Sequence, residues 1–479
     1  MVFGVQGVNP TQAASLNSAV HGELRSLELL DGIGAKDPSH QRILRDGLWP
    51  SQRAQILLGV LEEAQGHGVQ FDRISFLQIS EIYEAASEAR EALKFAINHG
   101  ASNEEVLVGR AVGAIERVRQ VESELVKAAS ILMRVTEVEG QKYKRKSRAR
   151  RLKGFLRNPQ LKGIFPEHPD YLMLVDGLRR LERLHDQSDW ESLSLQERFR
   201  ALGWGELEDS NSLKIYQEAH HLEPSGVVDG KVEELLNRSM TTHFHLLLET
   251  MGRWHRSPLR GESSFIRVNI PAYRAEYWEK GVYQEHFRVV VGDLEGETPE
   301  FHREIKAIVL NPSWYVPASV KQRDLDQRQK KDPGFYKNNG FRLIGGGKRV
   351  IQKPGEGNWL GRVIFRWDRG GTQSVFIHDS PFQERFDRLV RAMSHGCVNL
   401  EGARSLARKL AILRGGISAA GFDRMLKTEK TRRIPLRLSL TTVLEYTTVV
   451  PGPEGQLVFL PDVYNRIPPE SGDLALRQN

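Results

Sequence analysis

Near residue 260 the apolar period of this chain changes, and the change limits it to a helical half followed by a β half. From about Leu24 to Gln187, apolar residues recur three and four apart in charged, Ala-, Leu- and Glu-rich text. The stretches Ile79 to Ala96 and Val106 to Val135 show this best, and such spacing makes one-faced helices. From Phe265 the period is two: FIRVNI, HFRVVVG, AIVLNP, RVIFRW, SVFIHD, RLSLTTVLEY and QLVFLPDVY, set off by Gly, Pro and Asn turns. Short β-branched strands of this kind predict a mainly antiparallel sheet or sandwich. At 479 residues and 39% apolar content there is enough material for two or three domains, each with its own core. The chain therefore reads as multi-domain α+β. A helical scaffold is expected over 1–190, a small three-helix module over 191–240, a mainly β, sandwich-like domain over 260–465, and a tail over 466–479.

Composition excludes several classes. No run approaches the roughly eighteen uninterrupted apolar residues that a membrane-spanning helix needs. The opening text MVFGVQGVNPTQAASLNSAV has neither a basic nor an apolar signal region and does not read as a secretory signal. The net charge is +7, yet residues 142–153 (KYKRKSRARRLK) carry eight basic side chains and no acid, so the remainder is close to neutral. That is a local basic run, read as a solvated helix face or linker, with an anionic partner as the alternative. It argues against a general nucleic-acid binder. Cys397 is the single cysteine, so no intramolecular disulfide forms and a Cys-rich zinc site is excluded.

Residues 376–400, FIHDSPFQERFDRLVRAMSHGCVNL, carry the chemistry. A strand from Ser374 to His378 is expected to end at Asp379-Ser380-Pro381. Ser380 then reads as an N-cap with Pro381 at the first helical position and Gln383 completing a capping box. Phe382, Phe386, Leu389, Val390 and Met393 follow at helical spacing, which predicts a helix stopping at Ser394-His395-Gly396. This unit brings His378 and Cys397 together as a base and a thiol nucleophile. A backbone carbonyl, that of residue 379 being the candidate, orients the imidazole, since the Asp379 side chain should point away. The N–H groups of Gly396 and Cys397 are candidate oxyanion donors. Between Trp314 and Gly355 a charged, Gly-rich stretch with little strand pattern predicts a cap or lid over about 318–353.

His378, fifteen residues, then Ser394-His395-Gly396-Cys397-Val398-Asn399 resembles the signature of L,D-transpeptidase catalytic domains of the YkuD type. Val268-Asn269-Ile270-Pro271-Ala272-Tyr273, Asn311-Pro312-Ser313-Trp314-Tyr315-Val316-Pro317 and the run from Pro354 to Arg362 are similar to the large Gram-negative branch of that family. Residues 193–237 resemble a three-helix peptidoglycan-binding module through Leu202-Gly203, Tyr216-Gln217, Leu222, the run Gly226 to Gly230, and Leu236-Asn237. The resemblance implies a cysteine acyltransferase of the periplasm and cell envelope, of the carbapenem-sensitive kind that shapes the wall. Cys397 would be its nucleophile and His378 its base, with Ser394, His395 and Gly396 shaping the oxyanion site. Asn399 stands where many members of the branch have Arg. Trp314, Tyr315, Asn358 and Trp359 are candidate groove residues beside a peptidoglycan stem peptide, with no cofactor and no metal implied. What the resemblance implies as reaction is a 3-3 cross-link between a donor tetrapeptide and a diaminopimelate acceptor, with release of D-Ala. Hydrolysis of the donor, attachment to a protein lysine, an inactive wall-binding protein, and a metal site built from His378, His395 and Cys397 are the alternatives. The cluster His243, His245, Trp254 and His255 reads as interdomain packing.

Overall fold

The computed structural model describes residues 45–46, 49–50, 52–69, 76–99, 104–135, 145–157, 165–259, 261–367 and 375–467. The opening text, the bases Lys142 and Lys144, Ser374 and the tail beyond residue 467 lie outside them. Among the described residues no helix is long and apolar enough to cross a membrane. Contacts divide the chain into two compact units, one running to Tyr171 and taking in Trp254–Arg256, the other formed by Leu172–Arg253 and everything from Ser257.

The first unit is helical, as the period predicts, with α1 (Gln52–Gly66), α2 (Phe76–His99), α3 (Glu104–Val135) and α4 (Arg145–Arg157). Leu57, Leu61 and Ala64 recur along one face of α1 and are fully buried, as are Leu125, Ala128 and Leu132 of α3. From Arg145 on, the basic run forms α4, which buries Phe155 and Leu156. His67 stacks on Phe165 at 4.2 Å and hydrogen-bonds Tyr171, whose hydroxyl lies 3.0 Å from His255 Nε2.

The second unit, after the end of a helix at Pro169–Gln187, carries three short helices, α5 (Leu195–Ala201), α6 (Ser210–Ala219) and α7 (Gly230–Leu236). Each is started by a side-chain cap, with Ser194 and Glu197 forming a capping box and Asp209 and Asp229 accepting from the N–H groups that follow them. Fully buried Gln217 fixes the turn before α7 by accepting from Gly226 N–H and donating to the Val227 carbonyl. His243 packs edge-on against Trp190 and Phe459. His243 and His255 thus fall in different units, each among aromatic neighbours of its own unit.

The β half is a closed sheet, which corrects the expected sandwich. Its strands are β1 (Phe265–Asn269), β2 (Arg274–Glu279), β3 (Val282–Gly292), β4 (Phe301–Leu310), β5 (Trp314–Tyr315), β6 (Phe341–Ile344), β7 (Arg349–Gln352), β8 (Val363–Trp367), β9 (Ile377–His378), β10 (Ala392–Ser394), β11 (Val398–Leu400), β12 (Arg432–Glu445), β13 (Val449–Pro451) and β14 (Leu457–Phe459). Spatial order runs β3-β11-β9-β8-β4-β12-β1-β2, and β2 pairs back with β3. Alternation along a strand cannot distinguish a sandwich from a barrel; the β2–β3 pairing, which leaves the ring no open edge, decides it. Most pairings are antiparallel, but β9 with β11, β10 with β3 and β12 with β1 are parallel. One core joins the inner strand residues, such as Val268, Val289, Ile308, Phe365, Ile377 and Val398, to the apolar stripe of α8 (Ala403–Leu413) and to Phe422 of α9 (Ala419–Lys427). The β13–β14 hairpin ties the barrel to the three helices, since Leu457 N–H donates to the Leu202 carbonyl and Trp204 Nε1 to the Leu457 carbonyl.

The stretch 318–353 is no structureless loop. Strands β5, β7 and β6 form a separate antiparallel sheet, in that order, with short helices at Ala318–Val320, Asp326–Lys331 and Phe335–Asn338. Leu325, Phe341 and Val350 make a core of its own, on which Trp314, Phe335, Tyr336 and Trp359 pack. The charges are used internally: Asp326 accepts from Lys321 Nζ and from Tyr336 Oη, each at 2.8 Å. The hairpin turn is Gly345-Gly346-Gly347, all at positive φ, and flanking strands of four residues are too short to show a period.

Candidate active site

His378 and Cys397 come together through β9 and β11, which pair in parallel with Ile377 opposite Val398 and His378 opposite Asn399. Ile377, Val398 and Leu400 point into the barrel core. Because side chains alternate, His378, Cys397 and Asn399 share the other face, on strands about 4.8 Å apart. The helix expected between His378 and Cys397 is absent. Residues 379–391 form a loop with one 3-10 turn, Gln383–Arg385, and Ala392–Ser394 is a strand. Ser380 does accept from Phe382 N–H, and Gln383 Nε2 donates back to the Ser380 carbonyl, but this closes a turn and starts no helix. Of the apolar stripe only Phe386 is buried, while Val390 is exposed. Tertiary pairing overrides the local period, as the Arg391 carbonyl accepts from Val291 N–H and the Arg391 guanidinium reaches the Val289 and Tyr273 carbonyls.

The imidazole of His378 is buried, and its Nδ1 lies 2.5 Å from the carbonyl of Asp379, the acceptor read from the sequence. That bond makes Nδ1 the protonated nitrogen and leaves Nε2 with its lone pair free to accept a proton. The Asp379 carboxylate does turn away. It accepts from Arg362 N–H at 2.8 Å and from Arg404 Nε at 2.9 Å, while Asp379 N–H donates to the Val363 carbonyl. Glu356 bridges Arg404 and Arg362, and Arg362 also donates to Asn311. Arg404, Arg362 and Glu356 had no local sequence signal, since they lie up to 48 residues apart along the chain.

The turn before Cys397 is braced from within. Ser394 Oγ accepts from Gly396 N–H at 3.1 Å and donates to the Cys397 carbonyl at 2.6 Å, and Thr298 Oγ1 donates to the Gly396 carbonyl. Gly396 N–H is therefore engaged and is not the oxyanion donor expected of it. Gly396 has φ 108°, a conformation for which only glycine is suited, and a Cβ there would lie 3.3 Å from the Gly296 carbonyl oxygen. Burial pushes the Cys397 thiol up to about 11, opposed by a hydrogen bond with the Phe376 backbone. Burial also lowers His378, opposed by the Asp379 and Leu360 backbone. The resting pair is thus neutral thiol and neutral imidazole.

His395 faces the cap: its Nε2 is 3.7 Å from Asp324, an acid 71 positions earlier in the chain that sequence distance had hidden. Burial and Arg323 hold its imidazole below the usual range. Arg323 in turn pairs with Asp293 at 2.8 Å. His378, His395 and Cys397 are not among the described residues whose ligand atoms converge as a metal site would require. Of the candidate groove residues, Trp314 and Trp359 stack at 5.6 Å, and Trp359 meets Phe382 edge-on. Tyr315 is 68% exposed. Asn358 is buried with its amide donating to the Pro312 and Lys353 carbonyls and its oxygen accepting from Leu360 N–H, so it braces a turn and is no ligand-binding group.

Residues 263–432 match the family model of the YkuD L,D-transpeptidase catalytic domain. A Haemophilus influenzae protein provisionally named an L,D-transpeptidase is 27% identical over 218 residues, which cover 42% of this chain and 44% of that protein. The chain's match thus spans less than half of that relative's length. A solved structure titled as the Ldtfm–avibactam carbamoyl enzyme aligns with 43% of this chain and 63% of its own, at 12% identity and a TM-score of 0.21.

Proposed function

From the premise that residues 263–432 are an L,D-transpeptidase catalytic domain, we propose that this protein forms 3-3 cross-links between peptidoglycan stem peptides through a thioester on Cys397. The single observation that carries the reading is the arrangement of His378 and Cys397 on one face of paired parallel strands, with His378 Nδ1 committed to the Asp379 carbonyl.

The chemistry follows from those positions. His378 Nε2 takes the Cys397 proton as the sulfur attacks the carbonyl of the L-centre of a donor diaminopimelate. Because burial disfavours both thiolate and imidazolium, the transfer is coupled to attack and does not precede it. Backbone N–H groups at the turn receive the oxyanion, with that of Cys397 the remaining candidate of the two expected. The C–N bond to the terminal D-Ala then breaks, and its nitrogen takes the proton back from the imidazolium. An acceptor side-chain amine attacks the thioester and loses a proton to His378, and the thiol re-forms as the new amide is released. The Asp379 carbonyl holds the ring in one tautomer throughout, and Arg404 and the Arg362 backbone hold Asp379.

Three further readings belong to the same proposal. Residues 318–353 act as a cap over the donor, supported by the Asp324–His395 approach and the Trp359–Phe382 contact. Residues 193–237 act as a wall-binding module, where tethering to a polymer raises the local concentration of stem peptides. The site of action is the periplasm. Incubating isolated sacculi with the protein and with Cys397→Ala, then digesting to muropeptides, tests the reaction: 3-3 dimers appear only with the parent. Trimmed stems without dimers would make it an L,D-carboxypeptidase instead, and no change in any muropeptide would end the enzymatic reading.

A further inference from the structure

We propose that the guanidinium of Arg385, seated on Phe382 beside Arg328, is a subsite for a carboxylate of the donor peptide; this rests on the L,D-transpeptidase reading above.

The geometry is specific. Arg385 lies 4.3 Å from the Phe382 ring centroid, Phe382 meets Trp359 edge-on at 5.6 Å, and Arg328 lies 5.6 Å from the Trp359 ring. Two guanidinium groups therefore sit on adjoining aromatic rings, one from the loop after the base and one from the cap. Arg328 is neutralised by Asp324, to which its Nε donates. Arg385 has no such partner: among the described residues no carboxylate oxygen lies within 4.0 Å of it. Its sequence neighbour Glu384 and Asp324 act on it only at longer range, while burial and Arg328 both work against its charge.

A half-buried guanidinium without a carboxylate partner, whose charge burial and Arg328 both disfavour, is unfavourable in the empty protein and is relieved by an anion bound to it. The stacked guanidinium keeps its edge for in-plane donors, which matches the two oxygens of a carboxylate and not a single hydroxyl. Position completes the case. Asp324, which binds Arg328, also approaches His395 at 3.7 Å, and His395 is two residues from Cys397; Phe382 is four residues past His378. The subsite is thus within one short peptide of the reacting atoms. Stem peptides carry more than one carboxylate, and the shared chemistry is what Arg385 recognises.

The test uses Cys397→Ala protein, so that donor tetrapeptide binds without turnover, with calorimetry on the parent peptide and on versions in which each carboxylate is amidated in turn. Changing Arg385→Gln in that background weakens the parent peptide about tenfold or more, the scale of a lost charge-assisted hydrogen bond. One amidated peptide shows the same loss against Arg385 protein and none further against Arg385→Gln, which identifies the carboxylate. Arg385→Lys recovers part of the affinity. Unchanged affinity in Arg385→Gln, or an equal loss with every amidated peptide, overturns the subsite. If no donor peptide binds Cys397→Ala and none acylates the intact protein, the L,D-transpeptidase reading fails and the subsite falls with it.

Discussion

Gly361→Ala is a substitution away from the reacting atoms that should nonetheless disable them. Gly361 has φ 62° and a Cβ at this position would lie 2.5 Å from Asp379 Cγ and 2.6 Å from the Asp379 carbonyl carbon. Restoring an ordinary 3.4 Å contact from 2.6 Å requires a shift of about 0.8 Å in backbone that bears the acceptor of His378 Nδ1. The left-handed conformation adds about 1 kcal/mol for alanine and the overpacking about 1–3 kcal/mol, so stability should fall by about 2–4 kcal/mol. A displacement near 1 Å in a positioned catalytic group costs about 10²-fold in rate. The assay pairs thermal unfolding with the rate of donor acylation at a temperature where the variant is folded. A folded Gly361→Ala protein that acylates within threefold of the parent would refute the argument that the Asp379 carbonyl positions the base. Gly205→Ala, where a Cβ meets nothing within 4 Å despite positive φ, is the control that carries conformational strain without displacement.

Other outcomes follow from the same geometry. Ser394→Ala removes the acceptor of Gly396 N–H and the donor to the Cys397 carbonyl, and leaving the buried amide unpaired should cost about 1–3 kcal/mol, read as a lower unfolding midpoint with slowed acylation. Because burial lowers His378, the acid limb of kcat/KM should have its midpoint below about 6.5, the ordinary imidazole value; a midpoint above it contradicts the neutral resting pair. In His378→Ala protein, alkylation of Cys397 by iodoacetamide should keep rising with pH toward the thiol's value of about 11. Acid should unfold the second unit steeply: His220 and His243 are lowered to about 3 and His221 to about 4, each chiefly by burial. The unfolded chain then binds protons that the folded one does not, so stability is lost as pH falls from about 6.5, by up to about 1.4 kcal/mol per pH unit for each histidine. A denaturant midpoint that is flat between pH 6 and pH 4 would count against those burials.

Local text carried the helices and most barrel strands because their periods are set by burial on one face, as in α3 and β3. It also carried the contact of His378 Nδ1 with the Asp379 carbonyl, since the residue after a strand-end histidine is the nearest acceptor. It failed where tertiary pairing won. Residues 382–393 have helical spacing, yet Arg391 anchors to the Val289 carbonyl of β3 and the Tyr273 carbonyl of the turn before β2, and Ala392–Ser394 joins β3. The barrel closure depends on the β2–β3 pairing, and β2, RAEYWE, mixes charge with aromatics and shows no clean period. Sequence alone makes Gly396 an oxyanion donor because nothing in it shows that the Ser394 hydroxyl folds back to accept from Gly396 N–H. Arg404, Glu356 and Asp324 reach the site from distant positions, and no short motif records them. In the hairpin FRLIGGGKRVIQ only the glycine turn is a local signal, since its four-residue strands mix arginine and glutamine with apolar side chains.

The central claim is a thioester on Cys397, and intact-protein mass spectrometry of the chain mixed with a donor tetrapeptide measures it most directly. The mechanism predicts an adduct equal to the donor less its terminal D-Ala, mapped to the peptide containing Cys397 and absent from Cys397→Ala. An adduct on another residue, or none under conditions where free D-Ala accumulates, would contradict it.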